Sequence, residues 1–301
     1  PTEPVIHLDH CPLCRNESTR HILTCQDHTV SGKTFPIVEC EHCGFRFTNP
    51  RPHPDDLGQY YESEDYTPHQ DTSQNVIDTL YRWVRHYTLR SKCRLITNLV
   101  DDPPGRLLDF GCGTGEFLAH CQSQGWDARG LDPDETARTV AARQHGLTVD
   151  PPGRLQDVPS GHFDVITLWH VLEHVPDLTG TIKALKRTLA PSGTLVVAVP
   201  NWLSLDAQFY GEDWAAYDVP RHLSHFRPRD VRRLFARFDL DVAEVRPMRL
   251  DAFYVSLLSE RYQGGWLLRA PFVALCSALW AAQSSPRHSA QLYLIRDRTA
   301  P

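Results

Sequence analysis

The chain of 301 residues is long enough for one large domain with an appendage, or for two domains, with an ample apolar core. Its formal net charge of -6 at pH 7 creates no global basic field, which argues against nucleic acid as a partner. Nine cysteines, an odd number, fit a reducing, cytoplasmic setting better than a disulfide-stapled secreted fold.

Residues 1–50 carry Cys11-Pro12-Leu13-Cys14 and Cys40-Glu41-His42-Cys43, two C-x-x-C knuckles separated by a β-rich segment. Each knuckle turns two thiolates to one side, and two pairs complete the tetrahedral set that zinc prefers. Four protein thiolates leave no open coordination position, so Cys11, Cys14, Cys40 and Cys43 are predicted to hold a structural zinc in a zinc-ribbon-like module. Cys25 reads as a spare buried thiol. Residues 51–100 read as a linker and helical lid: Arg51-Pro52-His53-Pro54, a Tyr-rich joint with Tyr61 and Tyr66 placed to reach a substrate, then a helix from about 76 to 99.

In Leu107-Leu108-Asp109-Phe110-Gly111-Cys112-Gly113-Thr114-Gly115-Glu116-Phe117-Leu118, an apolar strand ends in an acid, passes through alternating glycines and enters a helix. Such a loop lets a ligand approach the backbone, and the helix start offers unpaired N–H groups. The spacing of Gly111, Gly113 and Gly115 is not that of the dinucleotide fingerprint. A second strand, 126–132, ends in Asp132 before Pro133, where a carboxylate can accept from two ribose hydroxyls. A helix over 137–145, a short strand over 147–149, a buried strand over 162–169, a helix over 178–189 and a strand over 194–200 follow. This alternation predicts an α/β fold with a doubly wound, mostly parallel sheet, closed to seven strands by 242–245 and 292–295. Ligands of such sheets bind at the strands' carboxyl ends, where Asp109, Asp132 and Trp169 fall.

Residues 101–301 thus read as one domain with lid insertions at about 201–228 and 251–288. In the second insertion, Trp266–Ala282 is interrupted by Arg269 and Pro271 and falls short of the ~20 residues that span a bilayer, so a buried lid helix and no transmembrane segment are expected. Arg232, Arg233 and Arg237 are expected on a solvated helix face.

Past the fourth strand stands His170-Val171-Leu172-Glu173-His174. A helix beginning at Val171 would set His170 and His174 on one face with Glu173 beside them. His174 then serves as general base with Glu173 as its partner. Two other readings stay open: Glu173 and His174 satisfying backbone groups, or a divalent metal held by His170, Glu173, His174 and His222. Arg221, His222 and His225 form a second cluster, either clamping an anionic acceptor or pinning the connector.

The run Asp109-x-Gly111-x-Gly113-x-Gly115 resembles the first motif of class I S-adenosylmethionine (SAM) methyltransferases. That resemblance implies a Rossmann-like fold, SAM as methyl donor and S-adenosylhomocysteine as product. It also implies a cofactor site of Asp109, Gly111, Cys112, Gly113, Gly115, Asp132, Pro133, Leu155, Trp169 and His170. With the N-terminal knuckles and the Tyr-rich joint, the chain is similar to zinc-containing sugar C-methyltransferases, which act on nucleotide-linked keto sugars. This implies catalytic roles for Glu173, His174 and a joint tyrosine, taken as Tyr66, to which His222 is added. The Glu-His pair also resembles quinone-biosynthesis O-methyltransferases. With His222 the cluster resembles small-RNA 2′-O-methyltransferases, which carry an acid where this chain has His170. The expected activity is SAM-dependent methylation of a small polar, anionic acceptor such as a nucleotide sugar or hydroxylated metabolite. RNA methylation with the zinc module as grip, and SAM-binding regulation without turnover, are the alternatives.

Overall fold

A computed structural model describes residues 5–61, 76–248, 250–283 and 287–298. Tyr66 lies outside the described residues. Five short strands come first: β1 (Val5–Ile6), β2 (Thr19–Gln26), β3 (Thr34–Cys40), β4 (Arg46–Thr48) and β5 (Arg51–Pro52). After α1 (Val76–Thr97) come β6 (Arg106–Phe110), α2 (Glu116–Ser123), β7 (Asp127–Leu131), α3 (Glu135–His145), β8 (Val149–Asp150), β9 (Phe163–Trp169), α4 (Leu178–Thr188) and β10 (Leu189–Pro200). The remainder is α5 (Leu205–Tyr210), β11 (Ser224–His225), α6 (Pro228–Ala236), β12 (Leu240–Met248), α7 (Asp251–Tyr262), α8 (Arg269–Gln283) and β13 (Ala290–Asp297).

Seven strands form one sheet in the order β12-β13-β10-β9-β6-β7-β8, as the alternation of apolar runs predicted. β6 pairs in parallel with both β7 and β9. Leu107, Leu108, Val165 and Ile166 are buried, because helices cover both faces of a parallel sheet. The strand order reverses between β6 and β9, so the crevice beyond their carboxyl ends is a ligand site by topology.

The chain divides into two compact units: Pro1–Thr67 with His170–Thr179 and Val197–Leu294, and Pro68–Trp169 with Gly180–Val196 and Ile295–Pro301. In the first, β11 joins the N-terminal strands as a four-stranded sheet, β11-β4-β3-β2. Phe35 and Ile37 of β3 pack with Tyr60, Tyr210, Trp214 and Tyr217, so the long connector after β10 supplies the core that a 50-residue module lacks.

Arg232 and Arg237 are exposed, as expected, and Arg233 is half-buried; each also donates to a carbonyl, Arg233 to that of Cys43 (3.4 Å), Arg237 to that of Leu13 (2.6 Å) and Arg232 to that of Val242 (3.0 Å). Arg227, capping α6, also donates to Cys43 (3.1 Å). One expectation about this unit changes, since the segment from Trp266 onward is not a buried lid: Ala270, Val273, Ala274, Ser277 and Ala281 are buried, while Phe272, Leu275 and Leu279 are exposed. Small side chains at helical spacing pack inward, which leaves the large apolar ones outside. Among the described residues no helix is long and apolar enough to cross a membrane.

Candidate functional site

The glycine loop belongs to the second unit. Gly111, Gly113 and Gly115 have φ of 77°, 55° and 81°, the left-handed region that favours glycine. Crowding adds a second reason at Gly115, where a Cβ would lie 2.6 Å from Leu147 Cδ1, whereas one on Gly113 would meet no atom within 4 Å. Conformation alone requires glycine at 113, and the backbone there stays open to a ligand. Cys112 packs its sulfur toward Gly130, where a Cβ would come within 2.7 Å of it.

Asp132 holds this loop in shape. One carboxylate oxygen accepts from Gly113 N (2.7 Å) and the other from Asp134 N (2.9 Å). Burial pushes its pKa up despite those amides. Asp109 is buried and accepts from Thr167 Oγ1 at 2.6 Å; burial drives its pKa up to about 6. Leu155 is buried and Pro133 is exposed. Trp169, ending β9, sets its ring edge-on to Phe117 and beneath Lys92 Nζ (4.3 Å). Its indole Nε1 is buried with no hydrogen-bond acceptor among the described residues, so the ring carries a donor for a ligand.

The His-Glu cluster belongs to the first unit. The expected helix after Val171 is only a single 3-10 turn, Leu172–His174, so His170 and His174 do not share a face. His170, at φ 56°, turns to the Glu173 (3.5 Å) and Asp251 (3.1 Å) carboxylates. Burial opposes its charge, but Asp251 and Glu173 outweigh burial and hold its pKa up at about 9. His170, assigned to the cofactor from sequence, is therefore engaged by acidic partners.

His174 Nδ1 lies 2.9 Å from Tyr61 Oη and 3.1 Å from the Arg221 carbonyl. A carbonyl only accepts, so that bond places the proton on Nδ1 and the lone pair on Nε2. Burial, then the neighbouring His222, press its pKa down to about 4. His222 bonds the Ala216 carbonyl through Nδ1 (2.9 Å), which also leaves its Nε2 as a lone pair. The two rings sit 4.5 Å apart, nearly perpendicular. Glu173 is 1% exposed, and among the described residues neither carboxylate oxygen has a hydrogen-bond donor. Its nearest polar partner is His170 Nδ1 at 3.5 Å. One ligand atom from each of Glu173, His174 and His222 lies within 4.8 Å of the others.

Glu173 and His222 line a small cavity of about 10 Å³ with Trp202, Trp214, Phe226 and His225. Among the described residues no Lys or Arg lines it. Arg221, for which clamping an anionic acceptor and pinning the connector were both open, is 1% exposed and consumed internally. It donates to Asp218 (2.6 Å), Asp27 (3.2 Å) and the Tyr60 carbonyl (2.8 Å). Asp27 as a partner of Arg221 and Asp251 as a partner of His170 were missed from sequence because they come from distant segments and share no local spacing with their targets.

Cys11, Cys14, Cys40 and Cys43 converge within 4.8 Å. The Cys11–Cys43 and Cys14–Cys40 sulfurs are 3.7 and 3.5 Å apart. Four sulfurs at about 2.3 Å from a tetrahedral zinc would be separated by about 3.8 Å, so the set fits that ion. The arginines on the Cys43 and Leu13 carbonyls bring positive charge to a site where four thiolates would exceed the charge of one dication.

Residues 84–245 match the methyltransferase domain family. The chain is similar to the ubiquinone biosynthesis O-methyltransferase of Pectobacterium atrosepticum, 28% identical over 177 residues, covering 53% of this chain and 70% of that protein. The protein of the same name from Methylococcus capsulatus is 32% identical over 152 residues, covering 46% of this chain and 64% of the relative. The chain thus spans about two thirds of the length of these relatives. Among solved structures, a SAM-dependent methyltransferase from Archaeoglobus fulgidus is similar, at 18% identity and a TM-score of 0.49, covering 71% of this chain and 93% of that one.

Proposed function

Because the chain belongs to the methyltransferase domain family and is a SAM-dependent methyltransferase, we propose that it methylates a hydroxyl of a small, uncharged, ring-bearing acceptor. The observation that carries this reading is the convergence of Glu173, His174 and His222, a carboxylate and two imidazoles with ligand atoms within 4.8 Å of one another, in a chain similar to O-methyltransferases. Trp202, Trp214 and Phe226 beside Glu173 and His222 give that neighbourhood an apolar and a polar side, the chemistry that suits a ring bearing a hydroxyl. A nucleotide sugar fits less well, since the only arginine expected to clamp its phosphates is neutralised by Asp218 and Asp27. RNA fits less well too, because the net charge of -6 supplies no global basic field.

SAM supplies an electrophilic methyl on a sulfonium that leaves as a neutral thioether. The uncrowded backbone at Gly113, the remaining lone pairs of the Asp132 carboxylate and Trp169 Nε1 are the groups that would hold it. The acceptor oxygen must be aligned and relieved of its proton. His174, neutral at pH 7 with Nδ1 pinned, presents Nε2 as the base, and the Glu173 charge stabilises the imidazolium that results. Residues 1–50 are read as a zinc module, 51–100 as linker and lid, and 101–301 as the methyltransferase domain.

A second reading is favoured by the undonated Glu173 carboxylate together with two imidazole lone pairs: a divalent cation on Glu173, His174 and His222. Bound there, a cation would lower the pKa of a hydroxyl. Metal content separates the two readings. One zinc per chain, unchanged in His222→Ala, fits the base; two ions per chain, one lost in that variant, fits the cation. The proposal itself is tested with labelled SAM and a panel of phenols and nucleotide sugars. Label on phenolic oxygen supports it, and label confined to nucleotide sugars overturns it.

A further inference from the structure

The hairpin of α7 and α8 is built inside out. Its inward side is small and polar. Ser259 Oγ accepts from the Ala215 amide (2.8 Å), Glu260 accepts from Tyr210 Oη (3.0 Å) and Arg269 (2.6 Å), and Ser277 donates to Asp206 (2.6 Å). Its outward side is large and apolar: Trp266 is 72% exposed, Leu268 70%, Phe272 67% and Leu279 57%. Phe272, Leu275 and Leu279 follow one helical face of α8, and Phe253 and Leu257 that of α7, so the exposed groups form stripes rather than scattered residues. Water makes such an arrangement costly, whereas in an apolar medium it is the favourable one.

The charges select the medium. Both carboxylates of the hairpin are drawn into pairs: Asp251 with His170, and Glu260, fully buried, with Arg269. The exposed ionisable groups are cationic: Arg261, Arg287, which stacks on Trp280 (4.5 Å), and Arg269, its charge partly offset by Glu260. An apolar stripe with a tryptophan at the turn and arginines at its edge matches the boundary between acyl chains and anionic headgroups. Neither helix is long enough to cross a bilayer, so the hairpin would lie in its plane.

We infer that the outer face of the α7–α8 hairpin docks on an anionic lipid surface. This inference stands apart from the acceptor chemistry, and its test reads binding alone. The full chain is sedimented with vesicles of phosphatidylcholine, with and without one-third phosphatidylglycerol. Partitioning onto the anionic vesicles at least tenfold stronger than onto the neutral ones is expected. The triple variant Trp266→Ser/Leu268→Ser/Phe272→Ser, altered only at exposed positions, should lose at least tenfold in partitioning while keeping its circular dichroism spectrum. Arg261→Glu/Arg287→Glu should lose the preference for anionic vesicles. Failure of the wild-type chain to bind either vesicle overturns the inference. So does equal binding to both, or a wild-type dimer in sedimentation velocity that becomes monomeric in the triple variant without any vesicle binding, which would assign the face to a second copy of the chain.

Discussion

His170 and His174 stand one short turn apart and are driven in opposite directions, His170 up to about 9 by Asp251 and Glu173 against burial, His174 down to about 4 by burial and His222. An unfolded histidine titrates near 6.5, so each histidine stabilises the fold in a different window. The His170 contribution is complete below pH 6.5 and is lost as pH rises through about 9. The His174 contribution is complete above pH 6.5 and is lost as pH falls through about 4. Melting curves should therefore show that His174→Gln loses less stability than wild type between pH 6.5 and 4, and that His170→Asn loses less between 6.5 and 9. For catalysis, His174→Ala should keep SAM affinity and cut turnover by about 10²–10⁴-fold, the range of a general base; unchanged turnover removes His174 from the mechanism. Arg221 belongs to stability. Removing a buried guanidinium leaves Asp218, held down at about 2, and Asp27 uncompensated, so Arg221→Ala should cost about 3–5 kcal/mol in urea unfolding.

At the scale of elements, the glycine loop was legible because its information is local: alternating glycines between a β-period and a helix-period segment fix strand, turn and helix together. The same locality gave the four cysteines, whose chemistry resides in two tight knuckles. Asp132 was found by position, yet its bonds to Gly113 and Asp134 show a support for the loop that spacing alone does not convey. Gly113→Ala should force φ 55° on a residue with a Cβ, at a cost of about 1–2 kcal/mol, and weaken SAM binding at least tenfold by calorimetry with the secondary structure intact. Full affinity in that variant would release the loop from its role. Cys11→Ser should lower zinc from one per chain to none in elemental analysis; retained zinc would overturn the ligand set.

For the whole molecule, the alternation of strands and helices sufficed to read the seven-stranded sheet. What it left dark was the company kept by the connector after β10. β11 pairs with β4, and Trp214 and Tyr217 fill the core under β3, contacts whose partners lie far apart in the chain and share no periodicity. The choice between clamp and pin for Arg221 stayed open for the same reason: a guanidinium looks alike in sequence whether it faces solvent, a ligand or a buried carboxylate. The apolar segment from Trp266 was misread because its hydrophobicity was taken to imply burial, while the small residues between the large ones face inward. The measurement that tests the account most directly is mass spectrometry of a metabolite extract incubated with the protein and methyl-labelled SAM. The account predicts one small hydroxylated ring compound gaining the label as an O-methyl ether, and losing it when His174→Ala replaces the wild type. Label entering RNA or the carbon skeleton of a nucleotide sugar, or an O-methyl product formed equally by both proteins, would contradict it.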